Sequence, residues 1–176
     1  MSLVSEQALL GEVEAKQALH LLNSLFCRAH DRADRGLMMS LFTADASIDC
    51  GSFQGSAEPY IVSVTELSDE IERTFSSVSN EIFYITGDEA RGEVCLINFT
   101  TVVNDGVKTD RLTGGRYLDK YRKVGGAWKI EHRSFVHDWN MNQPTTAVWD
   151  EGLFGLFKLR GTRDRSDPVY GMLEAL

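Results

Sequence analysis

Residues 77–139 read SVSNEIFYITGDEARGEVCLINFTTVVNDGVKTDRLTGGRYLDKYRKVGGAWKIEHRSFVHDW, and the reading of this stretch decides the fold. Runs rich in β-branched and aromatic residues fall at about 77–86, 90–103, 108–123 and 127–139. Gly87-Asp88, Asn104-Asp105-Gly106 and Val124-Gly125-Gly126 separate them. Short Gly- and Asp-bearing breaks between such runs are hairpin signals, since the turns that match strand twist need positive φ. Sequential hairpins build an antiparallel meander and cannot build a parallel doubly wound sheet.

Upstream the apolar period changes from two to between three and four. From about Glu6 to Arg32, Ala15, Ala18, Leu22, Leu25 and Ala29 form one stripe of an amphipathic helix, widened by Leu19 and Phe26. Asp34 then fits the N-cap of a short second helix over Leu37–Phe42. Ala46 to Cys50 reads as a short strand, and Glu58-Pro59 opens a third helical stretch to about Phe75. Helices first and a meander afterwards define an α+β fold in which a long curved antiparallel sheet can wrap the helices. Gly114-Gly115 lies inside a β-rich run, not at a strand-to-helix turn, so it serves sheet curvature and not phosphate binding.

A length of 176 residues with 43% hydrophobic content suits one compact domain, and no repeat or proline-rich linker divides the chain. The expected division is a domain over 5–142 and a partly apolar tail over 143–176 that packs on the domain or on a neighbouring subunit. Net charge is −8 with the basic residues scattered, which argues against a nucleic-acid partner. Cys27, Cys50 and Cys95 are odd in number and widely spaced, fitting neither a disulfide framework nor a zinc site. With no basic leader region and no long uncharged apolar run, a cytoplasmic protein with no membrane partner is expected.

Few residues carry chemistry by pattern alone. On an ideal wheel Asp31 points along Val13 and away from the Leu22 stripe, so spacing reads it as a solvated helix-end carboxylate. Strand alternation puts Arg133, Phe135, His137 and Trp139 on one face, a set that suits either an apolar pocket with one polar handle or a subunit interface. His132 and His137 face opposite ways and cannot share a metal, and no nucleophile elbow or Cys-His pairing occurs. Neither a metal nor a cofactor is implied.

One set of motifs resembles a known family. His30-Asp31-Arg32-Ala33-Asp34, Leu41-Phe42-Thr43-Ala44-Asp45-Ala46, Gly114-Gly115-Arg116-Tyr117, Trp128-Lys129-Ile130 and the run from Arg133 to Trp139 are similar, in order, to the SnoaL-like domain of the nuclear transport factor 2-like superfamily. The resemblance spans about residues 8–142. It implies a cone-shaped cavity for a small hydrophobic molecule and a homodimer or homotrimer. In the eliminating enzymes of the group an aspartate near the end of the first helix works with a histidine from the sheet. Asp31 matches the aspartate, but Ser76-Ser77-Val78-Ser79-Asn80 puts Ser76 where the histidine stands.

The resemblance therefore implies a cofactor-independent lyase or isomerase, dehydratase-like, acting on an apolar cyclic molecule. Its dyad is relocated: His137 as base, Asp31 orienting it, and Arg133 holding an anionic oxygen. Ser76, Asn80, Phe42 and Tyr117 join Phe135 and Trp139 as cavity-wall residues that contact substrate. The competing implication is a catalytically silent ligand-binding or accessory subunit, like the small subunit of ring-hydroxylating dioxygenases.

Overall fold

The computed structural model describes residues 5–174. Helix α1 spans Glu6–Asp31, started by the Ser5 hydroxyl accepting from the Ala8 N–H, and it buries Leu19, Leu22, Asn23, Phe26, Cys27, Ala29 and Asp31. Asp34 caps α2 (Arg35–Ser40) by accepting from the Leu37 N–H at 3.0 Å. This helix stops short of Phe42, because the Leu41 carbonyl already accepts from the Ile130 N–H and draws the chain into β1 (Phe42–Asp49). After β2 (Gln54–Ser56), α3 covers only Ala57–Val64.

Strand β3 occupies Ile71–Thr86, so residues 71–75 are strand and not the end of a helix. The cause is non-local: Phe75 pairs with Phe99 and Ser76 with Asn98 along β4 (Glu89–Asn104), and ladder hydrogen bonds outweigh local propensity. Strands β5 (Val107–Val124) and β6 (Ala127–Pro144) complete one six-stranded sheet ordered β2-β1-β6-β5-β4-β3. The sheet is mixed, since β1 pairs with β6 in parallel after the whole meander has intervened. The α1 helix lies against the inner face, where Leu19, Phe26, Met38, Ile48, Tyr121 and Ile130 form the core.

A bulge in β6 sets which side chains face inward. Gly115 pairs with His137 but Gly114 pairs with Trp139, leaving Asp138 as the extra residue. His137 therefore stays on the inner face with Phe135, whereas Trp139 turns to the outer face and lies over Gly114. The expected single face of Arg133, Phe135, His137 and Trp139 is broken there. A methyl group on Gly115 would come within 2.3 Å of the Val136 carbonyl oxygen and 2.6 Å of the Phe135 ring. Because one of these is backbone, Gly115→Ala is expected to cost about 1–3 kcal/mol, read as a lower thermal midpoint. An unchanged midpoint would show that the bulge yields freely.

Beyond β6 the tail returns to the end of α1 and to the free edge of β3. A short 3-10 turn (Phe154–Leu156) precedes α4 (Pro168–Glu174). Asp167 pairs with Arg32 at 2.8 Å, and the Tyr170 hydroxyl donates to Asp34 at 2.8 Å. The Arg73 guanidinium stacks 3.6 Å from the Trp149 ring. The last two residues of the expected tail, 175–176, lie outside the described residues. Among the described residues no helix is long and apolar enough to cross a membrane.

Candidate functional site

Asp31 is only 6% exposed, against the reading of its position on the wheel. The early start of β3 explains this, because the strand runs over the last turn of α1 and covers the face that the helical stripe leaves bare. Ser76 donates to the carboxylate twice, from its N–H to Oδ2 at 2.8 Å and from its hydroxyl to Oδ1 at 2.7 Å. As β3 is the edge strand, that N–H is free of the ladder and the carboxylate takes the place of a strand partner. Asn98 on β4 donates to Ser76 Oγ at 3.0 Å and to Thr74 Oγ1 at 3.1 Å, and its own carbonyl accepts from Thr100.

In front of this carboxylate lies a narrow hollow of about 170 Å³ whose wall includes His30, Tyr60, Ser76, Asn98, Tyr117 and Phe135. His30 Nδ1 stands 3.5 Å from Asp31 Oδ1. Burial pushes the Tyr60 phenol up to about 12 and the Tyr117 phenol well above its usual range, so both are O–H donors at neutral pH. Neither hydroxyl has a hydrogen-bond partner among the described residues. Thus one small cavity combines an imidazole backed by a carboxylate with two protonated phenols. That arrangement can move a proton and stabilise a developing oxyanion.

The other expected site residues fall elsewhere. Arg133 is 2% exposed and its Nε and Nη2 are taken by Asp119 at 2.9 and 2.6 Å, with Asn23 accepting a further bond from Nη2. Its plane lies between Phe26 and Tyr117, so it positions the Tyr117 ring and is not on the cavity wall. His137 makes no hydrogen bond to Asp31; it lines an adjoining open recess with Thr109, Asn140 and Asn142. Phe135 belongs to both walls, and its ring centroid is 6.4 Å from that of His137. The relocated Asp31–His137 dyad is not assembled.

Phe42 is a core residue, edge-on to Phe26 at 6.0 Å, and does not reach the Asp31 cavity. Asn80 sits exposed at φ 48° in a β3 bulge, beyond the cavity, because that bulge lifts the strand out of register. Trp139 is on the outer face, 43% exposed. Sequence reasoning missed Thr74 as a partner of Asp31, Asn98 as a partner of Ser76 and Tyr60 in the wall of the hollow, and gave His30 no proton-handling part. The spacing of Thr74, Ser76, Asn98 and Thr100, polar at alternate positions on two paired strands, is the signal that shows them once both strands are recognised.

Helices packed inside a curved mixed sheet, with a small hollow beside the end of the first helix, define an α+β cone. The sequence pattern of the SnoaL-like domain matches residues 11–134, and the chain belongs to that family. Among solved structures it is similar to a candidate scytalone dehydratase from Novosphingobium aromaticivorans, at 15% identity and TM-score 0.66 over 78% of this chain and 93% of that one. A type 3 hexachlorocyclohexane dehydrochlorinase from Novosphingobium barchaimii has the same identity and score, 15% and 0.66, over 79% and 95% of the two chains. A protein of unknown function from Mycobacterium tuberculosis, 17% identical at TM-score 0.59, is covered over 87% of its length by 93% of this chain. At these identities the likeness is one of fold. No curated protein matches the chain.

Proposed function

We propose that the protein is a cofactor-independent lyase or isomerase, dehydratase-like, that moves a proton on a small, largely apolar cyclic molecule held in the Asp31 cavity. The observation that carries this is a hollow whose wall holds His30 and two unpartnered phenols, with the buried Asp31 carboxylate 3.5 Å behind the imidazole. His30 takes the proton, since imidazole both accepts and releases one readily. Asp31, steadied by Ser76, orients the ring and balances the charge that forms on it. Tyr60 and Tyr117 donate to the oxygen on which negative charge develops, whether enolate or departing hydroxyl. Ser76 thus acts as a brace for the carboxylate in place of a sheet histidine, and the imidazole comes from the helix.

Proton nuclear magnetic resonance of small cyclic ketones in deuterium oxide, tetralone and cyclohexenone among them, tests the reading. Wild-type protein is expected to speed exchange of the protons next to the carbonyl, and His30→Gln to lose about 10²–10⁴ of that rate. Ligand binding without any exchange would instead identify a silent binding or accessory subunit. We also propose a cytoplasmic homodimer or homotrimer. Support for assembly comes from the outer sheet face, where Ile97, Leu118, Trp139 and Met141 are exposed.

A further inference from the structure

The tail encloses a second and larger hollow of about 600 Å³ against β3 and β4, with Phe75, Phe99, Trp149, Phe157 and Leu159 in its wall. Thr74 and Phe75 both line it although they point to opposite faces of β3, so the cleft wraps the edge of the sheet. Its inner end reaches Thr74, a hydrogen-bond neighbour of Asp31.

Four arginines border this cleft, and three are engaged. Arg32 pairs with Asp167, Arg160 holds Asp150 and the Trp149 carbonyl, and Arg73 donates to the Gly161 carbonyl while stacking on Trp149. Arg163 has two buried nitrogens, Nε and Nη1, without a partner among the described residues, against one, Nε, on Arg73, and it makes no other hydrogen bond there. Glu72, the carboxylate in the same wall, is held by Lys108 at 2.6 Å and flanked by Arg73. Burial holds the Arg163 guanidinium below its ordinary pKa, opposed only in part by Asp31, with which it makes no ion pair. Guanidinium nitrogens removed from water without an acceptor are costly, and either of the two, together with Nη2 beside it, presents a planar fork that matches a carboxylate.

We propose that this cleft binds an apolar monocarboxylate, with the carboxylate paired to Arg163 and the hydrocarbon body against Phe75, Phe99, Trp149 and Phe157. The site is distinct from the Asp31 cavity and does not depend on proton transfer there. Isothermal titration of the full chain with decanoate and with decanol reads both halves of the assignment. Decanoate is expected to bind at least about tenfold more tightly than decanol, a difference that Arg163→Gln removes and Arg163→Lys partly keeps. Phe157→Ala is expected to weaken both probes. Circular dichroism of each variant separates lost contact from lost fold. Equal affinity for the two probes, no binding of either, or decanoate binding untouched by Arg163→Gln in a folded variant overturns the proposal.

Discussion

Asp119→Ala is expected to cost about 3–5 kcal/mol of folding stability. For a domain of this size that is a fall of about 6–20 °C in thermal midpoint. The reason is the dryness of Arg133: the ion pair is 2.6 Å long with side-chain exposures of 3% and 0%. Asp119 also accepts from the Tyr121 hydroxyl, and Asn23 links that hydroxyl and the Arg133 guanidinium to α1. Removing the carboxylate leaves a charge buried between two aromatic rings without its counterion. Removing the arginine as well takes away the stranded charge, so the pair Asp119→Leu with Arg133→Met is expected to recover most of the loss. A loss below about 1 kcal/mol in the single variant means that water reaches the guanidinium.

How legible this was in the sequence depends on where the deciding contacts lie. The α1 stripe, the Asp34 cap and the hairpin breaks are local, and they read directly because period and turn chemistry act within a few residues. The start of β3 at Ile71 did not, since nothing near residues 71–75 says that β4 waits to pair with them. That one element also decides the site. With β3 extended, Asp31 is buried beneath Thr74 and Ser76; without it, the same aspartate reads as solvated. Likewise the alternation of β6 failed at Asp138, because a bulge is the response of one strand to its neighbour, here to Gly114 and Gly115. The resemblance to a family singled out Asp31, which the fold buries against Thr74 and Ser76, but the partner it suggested, His137, makes no hydrogen bond to it. Arg133 illustrates the opposite error: an arginine on an inward face looks available until its counterion, 14 residues away and paired with it on the neighbouring strand, is known.

Asp31→Asn is expected to lower the rate of proton exchange by about 10²–10⁴ while changing stability by only about 1 kcal/mol. The carboxamide keeps the shape of the side chain, and its one carbonyl oxygen can still accept from the Ser76 N–H. Its amide then meets Ser76 Oγ, whose hydroxyl is a rotor able to accept, so the brace re-forms with one bond reversed. What cannot be replaced is the negative charge beside His30, needed when the imidazole gains a proton from substrate. The expected pattern is therefore a reduced kcat with little change in KM, and a midpoint within a few degrees of wild type. Ser76→Ala should act in the same direction but less strongly, because it loosens the carboxylate without discharging it. A silent binding protein gives the contrary result: Asp31→Asn leaves ligand affinity as it was, and no rate exists for it to lower. A wild-type exchange rate that Asp31→Asn leaves untouched would move the proton-transfer role away from this end of the cavity altogether.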